Sequence, residues 1–166
     1  MDQHDIVVIG AGSAGISAVR TIAERDASRV LFVNGELDPP YKRTKASKYI
    51  AEGFDPTRFL LETEEWYGDH GVTLLNGVNA AGIDTTKRLI ALEDDRTVQF
   101  DKLILAIGSV PIFPKTVRPH NEDSFFVVRT ARDVQRLTAA AKSAKRVLVD
   151  GMGGLAVEVA AELRHM

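Results

Sequence analysis

With 166 residues, 21 Lys and Arg against 23 Asp and Glu and a net charge of −2, the chain has room for one domain, or one domain and part of another, and no basic excess for nucleic acid. It contains no cysteine, which excludes disulfides, Cys-ligated metal clusters, a thiolate nucleophile and a CxxC redox pair within these residues. No apolar run approaches the roughly 20 residues of a membrane span, and the acidic opening Met1-Asp2-Gln3-His4-Asp5 is unlike a signal peptide, so a soluble cytoplasmic protein is expected.

Ile6-Val7-Val8-Ile9 is a short β-branched run of the kind buried on both faces of a parallel sheet. Gly10 to Gly15 follow it. A helix comes next, with Ile16, Val19, Ile22 and Ala23 on one face and Arg20, Glu24 and Arg25 turned away. Val30-Leu31-Phe32-Val33 is a second buried strand, completing a βαβ unit. Residues 34–58 are rich in Pro and Gly and read as a functional loop. Phe59 to Gly71 reads as a helix ending at the glycine, and Val72 to Leu75 as a strand.

Leu89–Leu92 and Thr97–Phe100 flank an acidic turn and predict a hairpin, part of a β-meander around residues 87–100. Leu103 to Ile107 predicts a further buried strand, stopped by Gly108. Pro111, Pro114 and Pro119 punctuate a connector. Residues 131–141 predict a helix with Val134, Leu137 and Ala141 on one face. Arg146 to Asp150 predicts a strand, followed by Gly151-Met152-Gly153-Gly154 and a helix with Leu155, Val159 and Leu163. The opening strand, glycine turn and helix thus recur near residue 147 without a following strand, which suggests a fragment or a chain that needs a partner. The expected fold is α/β: a Rossmann-like parallel sheet with helices on both faces, the meander insertion, and the beginning of a second Rossmann-like unit.

Gly10-Ala11-Gly12-Ser13-Ala14-Gly15 matches GxGxxG after a strand and at the start of a helix. The first glycine suits the tight turn, the second a close approach of backbone to pyrophosphate, the third close packing of helix on strand. Glu36, near the end of the second strand, is the candidate for the ribose hydroxyls. His4, His70, His120 and His165 have no metal-ligand spacing, and no metal is expected. Glu62, Glu64, Glu65 and Asp69 read as a solvated helix face, and no GxSxG supports a serine hydrolase.

Four further segments resemble, in order, the FAD-dependent pyridine nucleotide-disulfide oxidoreductases, in the branch of the ferredoxin and rubredoxin reductases and apoptosis-inducing-factor-like proteins. Pro40-Tyr41-Lys42-Arg43 with Ser47-Lys48 resembles that branch's PYxRPxLSK loop. Gly71-Val72 through Gly77 and Asp84 resembles its GIE…G…V..ID segment. Residues 101–111 resemble DKLLLATGSxP, and residues 149–160 resemble the VVGGGxIGLEVA that opens the NAD(P)H-binding domain. The resemblance implies an FAD-binding segment over 1–114, then a connector and the first βα unit of an incomplete NAD(P)H-binding domain over 115–166.

It also implies roles. Gly10, Gly12 and Gly15, with the Ser13 and Ala14 amides, would hold the FAD pyrophosphate. Arg43 would place charge beside the pyrophosphate or the flavin. Lys48 would lie near flavin N5 and O4 as a catalytic residue, paired with Glu158. The Ala80 backbone would meet the adenine, and Ala106, Ile107 and Gly108 would approach the cofactor. Gly151 and Gly153 would belong to the nicotinamide-nucleotide turn.

Several residues depart from the family pattern. Gly35 stands where an acid is usual, Ile107 where the ATG threonine is, Thr44-Lys45-Ala46 where Pro-Pro-Leu is, and Ala156 where the second motif has its third glycine. The family's later Gly-Asp segment, which completes FAD binding, is not in this sequence. The implied activity is transfer of electrons from NAD(P)H through FAD to a small electron-transfer protein or other acceptor, without a protein disulfide. The alternative is a catalytically incompetent nucleotide-binding fragment or regulatory subunit. A homodimer, or a missing C-terminal part, would cover the unfinished unit. A flavin monooxygenase or NAD-only dehydrogenase could share the first βαβ unit, but the Tyr41 to Lys48 loop argues against both.

Overall fold

A computed structural model describes residues 2–25, 28–112 and 124–166. The chain divides into two compact units, one of Met1–Tyr41 with Leu60–Ser109, the other of Lys42–Phe59 with Val110–Met166. Pro114, Pro119 and the expected boundary at 114/115 lie outside the described residues.

The first unit is built on a six-stranded sheet. Its elements are β1 (Asp2–Ile9), α1 (Ser13–Arg25), β2 (Val30–Asn34), α2 (Glu64–Asp69), β3 (Val72–Asn76), β4 (Ala80–Asp84), β5 (Leu89–Leu92) and β6 (Thr97–Leu105). The strand order is β3-β2-β1-β6-β5-β4. β1 pairs in parallel with β2 and β6, and β2 with β3, whereas β5 pairs antiparallel with β4 and β6. The sheet is therefore mixed, parallel on one side and a meander on the other.

Alternation along β1 and β2 splits their apolar side chains between two cores. Ile6, Val8, Val30 and Phe32 pack with Ile16 and Val19 of α1 and Tyr67 of α2. Val7, Ile9, Leu31 and Val33 pack on the opposite face with Ile90, Leu92, Val98 and Phe100. Helices were expected on both faces; both helices of this unit join the first core only. The second core consists of strand residues, because the meander carries its own apolar side chains onto that face.

Three other expectations need correction. The return strand of the hairpin and the strand expected from Leu103 are one element, since the ladder to β1 keeps one register from Asp2↔Val98 to Ile9↔Leu105. The meander begins at Ala80, ahead of the expected 87. The helix expected over 59–71 is interrupted: a 3-10 turn covers Pro56–Phe59, Leu60 then bridges Tyr41, and α2 restarts at Glu64. Thr63 caps that restart by accepting from the Trp66 amide, and Gly71, at φ +66°, takes the chain out of the helix.

The Tyr67 hydroxyl is buried, with no hydrogen-bond partner among the described residues. Burial, reinforced by the nearby Glu62 carboxylate and opposed by Arg20, pushes its pKa up from 10.0 to about 12. The folded-state value is the higher one, so the contribution to stability is complete below pH 10 and disappears as pH rises through 12. Urea unfolding midpoints should fall across that window, and Tyr67→Phe should remove this part of the fall. Because the hydroxyl is unpartnered, the variant should match or exceed the parent near neutral pH. A parent-like alkaline fall in the variant would contradict this reading.

In the second unit, 3-10 turns span Arg43–Lys48 and Pro56–Phe59, and two helices follow, α3 (Ala131–Ala141) and α4 (Gly154–Arg164). Thr130 and Asp133 form a reciprocal capping box at the start of α3. Val134 and Leu137 are buried as the helical spacing predicts, and Thr138 Oγ1 donates to the Ile50 carbonyl at 2.9 Å. The strand expected over 146–150 does not form. The described residues of this unit contain no strand to pair with it, so β-branched composition alone leaves Val147 and Leu148 exposed. Among the described residues no helix is long and apolar enough to cross a membrane.

Candidate functional site

The parallel strands of the first unit all point their C-terminal ends to one edge of the sheet. The chain leaves β1 toward β2 and β3 on one side and meets β6 on the other, so the elbow after β1 occupies a topological switch point. In open α/β sheets that is where ligands bind. The β1 end is tied to both neighbours: the Gly10 amide donates to the Val33 carbonyl at 2.9 Å, and the Ala106 amide to the Ile9 carbonyl at 2.8 Å.

The three glycines of the elbow do different things. Gly10 sits at φ +100°, and a Cβ there would stand 2.3 Å from the Ala106 carbonyl oxygen and 2.9 Å from the Ile107 Cα. A Cβ on Gly15 would stand 1.8 Å from the Gly10 carbonyl oxygen and 3.2 Å from the Phe32 ring. Gly10 and Gly15 are thus filled by the protein itself. A Cβ on Gly12 would meet nothing within 4 Å, so the second glycine borders open space, as a backbone meant to be approached from outside requires.

Ile16 N–H donates to the Gly12 carbonyl at 3.0 Å, which makes Gly12 the helix cap. It has no side chain to satisfy the first-turn amides of Ser13, Ala14 and Gly15, which have no intrahelical acceptor. The first turn of α1 also carries no acidic residue. The positive end of the helix dipole therefore has no compensating carboxylate on its own helix, which suits a phosphate.

Glu36 follows β2 on the same edge. Its amide donates to Asn34 Oδ1 at 3.1 Å, its carbonyl accepts from Gly77 N–H at 2.8 Å, and Oε2 accepts from the Tyr41 hydroxyl at 2.8 Å. Ala106 is half-buried, whereas Ile107 and Gly108 are exposed, with Gly108 at φ +70°. Ala80 opens β4 opposite Leu92 and packs against the second core, ahead of a bulge in the ladder.

The second unit brings together Lys48 and Glu158, which are 110 positions apart in sequence (158 − 48). Lys48 Nζ lies 3.6 Å from Glu158 Oε1. The Ser47 hydroxyl donates to the other carboxylate oxygen, and Glu162 Oε2 accepts from the Ala51 amide at 3.2 Å. Two carboxylates one turn apart on α4 thus hold the 3-10 turn that carries Lys48. The pair's side chains are 54% and 34% exposed, so its net contribution to stability is about 0–1 kcal/mol. Such a pair at the surface matters for where it puts charge. Arg43 donates to the Arg129 carbonyl at 3.4 Å. Gly151 takes φ +124°, and Gly153 caps α4 with no side chain and open space where its Cβ would be. Asn34, Asn76, Asn79 and the Tyr41 hydroxyl were not singled out from sequence; Asn34 and Asn76 meet across paired strands, the turn after β2 brings Tyr41 back to Glu36, and only an Asn closing an apolar strand hinted at one of them.

A glycine elbow at the switch point of a parallel sheet, with an acid after the second strand, defines a dinucleotide-binding fold. Residues 4–166 match the family model described as pyridine nucleotide-disulphide oxidoreductase, and the chain belongs to that family. It is 30% identical over 169 residues to the assimilatory nitrate reductase electron transfer subunit of Bacillus subtilis, covering 100% of this chain and 22% of that one. It is 32% identical over 162 residues to rhodocoxin reductase of Rhodococcus erythropolis, covering 96% and 38%. The crystal structure of NADH:rubredoxin oxidoreductase from Clostridium acetobutylicum shares the fold, with a TM-score of 0.89 at 23% identity, over 99% of this chain and 42% of that one. The chain thus spans between 22% and 42% of the length of these relatives.

Proposed function

We propose that this chain is the cofactor-binding part of an FAD-dependent oxidoreductase that takes electrons from NAD(P)H and passes them to a small redox protein or other acceptor, with no protein disulfide. Residues 1–114 would form the N-terminal FAD-binding segment and 115–166 the start of the NAD(P)H-binding part. The observation that carries the reading is the elbow: Gly10 and Gly15 are packed solid against backbone while Gly12 borders open space. Family membership, and relatives whose names are those of reductases, support the rest.

FAD, when bound, supplies a ring that accepts a hydride from a nicotinamide and releases electrons to the acceptor. The Ser13 and Ala14 amides, at the end of α1 that no side chain caps, hold the pyrophosphate beside Gly10, Gly12 and Gly15. Glu36 takes the sugar hydroxyls of the adenosine half. The backbones of Ala80, Ala106, Ile107 and Gly108 line the cofactor, and Arg43 supplies charge to the pyrophosphate or the flavin. Lys48 presents positive charge to the electron-rich ring, where such charge favours the reduced form. Glu158 orients the Lys48 ammonium and offsets its charge. Gly151 and Gly153, before α4, receive the nicotinamide nucleotide as the first elbow receives FAD.

FAD titrated into the purified chain, read by the quenching of its fluorescence, tests the reading. Saturable one-to-one binding that ADP competes away is expected. Binding of ADP without any binding of FAD would overturn the flavoprotein reading in favour of a nucleotide-binding module.

A further inference from the structure

We infer that Tyr41 and Asn34 are positioning residues that aim the Glu36 carboxylate at the ribose diol of the adenosine half of the cofactor, an inference that rests on the nucleotide reading above. The residue directly after β2 cannot do this work. Gly35 has no side chain, and a Cβ there would stand 2.1 Å from Asn79 Oδ1. Asn79 is held in turn, its Nδ2 donating to Glu93 Oε2 at 2.9 Å. An acid at position 35 would have to displace that amide, so the role falls to the next residue.

Glu36 is built to take it. Asn34 is 3% exposed, and its Nδ2 donates to the Asp38 carbonyl and to Asn76 Oδ1, each at 2.8 Å. With Asn34 fixed, its Oδ1 fixes the Glu36 amide, and Gly77 fixes the Glu36 carbonyl. The side chain is then set by Tyr41, whose hydroxyl donates to Oε2 at 2.8 Å. Tyr41 is itself 4% exposed and anchored by its bridge to Leu60 and by the Leu61 amide on the Pro40 carbonyl. A hydroxyl held in the core and donating to one carboxylate oxygen fixes the direction in which the carboxylate faces.

The place is right as well. Gly10 N–H donates to Val33 O, so the turn that carries Glu36 starts one strand over from the elbow, on the same edge. A carboxylate in that position pairs with the two donor hydroxyls of an adenosine ribose. The clasp thus selects an unmodified diol, and the sugar rather than the base or phosphate is what it reads.

Calorimetry with ADP and with 2′-deoxy-ADP on the intact 166-residue chain tests this. The unaltered chain should prefer ADP by about tenfold, the size of a hydrogen bond to a charged group. In Glu36→Gln and in Tyr41→Phe the preference should shrink to about twofold or less, with ADP weakened and 2′-deoxy-ADP nearly unchanged. A structural role for Tyr41 would weaken both ligands together and keep their ratio. A retained ratio in Tyr41→Phe would therefore overturn the role of Tyr41, and a retained ratio in Glu36→Gln would remove Glu36 from the sugar. Failure of the unaltered chain to bind ADP would overturn the nucleotide reading itself, and this inference with it.

Discussion

A chain carrying Gly12→Val is expected to fold and to bind no FAD. The structure separates the two outcomes because a Cβ at position 12 meets no protein atom within 4 Å. The cost to stability is then mainly that of valine at a helix cap, about 1 kcal/mol. The isopropyl group occupies the open space through which a pyrophosphate must approach the Ser13 and Ala14 amides. Affinity should fall at least about 100-fold, equivalent to roughly 2.7 kcal/mol, because close approach and several hydrogen bonds are lost together. Flavin fluorescence titration reads the affinity and urea denaturation the stability. Retained FAD affinity in a folded Gly12→Val chain would contradict the assignment of Gly12, whereas loss of folding would contradict the open space beside it.

Gly15→Ala should do the reverse and damage the first unit itself. A single methyl group there lands 1.8 Å from the Gly10 carbonyl oxygen and 3.2 Å from Phe32. The obstruction is backbone, which no rotamer change relieves. Relief requires α1 to lift away from β1, and that opens the core of Ile16 and Val19 against Ile6, Val8 and Phe32. Overpacking costs about 1–3 kcal/mol and sometimes more, and an obstruction by backbone belongs at the upper end. Against a total stability of about 5–15 kcal/mol for a domain, the urea midpoint should drop severely. Any loss of FAD should follow the loss of folded protein. A Gly15→Ala chain with the parent's midpoint would mean that the helix is not packed on the strand as described. The two glycines, three positions apart in one motif, thus give opposite signatures, one in binding and one in folding.

Much of the first unit was legible because its signals are local. Ile6 to Ile9 and Val30 to Val33 are unbroken β-branched runs, and only a strand buried on both faces needs that pattern. The elbow was legible for a similar reason, since the glycine spacing fits one turn between one strand and one helix. Errors arose where pairing decides. Thr97–Phe100 and Leu103–Ile107 look like two elements in sequence, yet β1 pairs in one register with residues from Val98 to Leu105. Phe59–Leu61 looks helical with Trp66-Tyr67, yet Tyr41 draws Leu60 into a bridge. Arg146–Asp150 has strand composition, but a strand is a relation between segments, and no partner stands beside it among the described residues.

The candidate site divides the same way. Gly10, Gly12, Gly15 and Glu36 could be proposed from spacing. Lys48 and Glu158, 110 positions apart (158 − 48), were joined by family resemblance, and the structure brings them to 3.6 Å. The clasp around Glu36 was not legible. It joins Asn34, Tyr41, Asn76 and Gly77, and its geometry depends on β2 and β3 lying in parallel register, with Asn34 opposite Asn76. No local pattern announces that juxtaposition.

In the proposed function the first-turn amides of α1 hold the pyrophosphate of FAD. Amide NMR spectra of the ¹⁵N-labelled chain, recorded as FAD is added, test it at those atoms. The largest shifts are expected on Gly12, Ser13, Ala14 and Gly15, saturating together. Saturable FAD binding that leaves these four amides unmoved would contradict it.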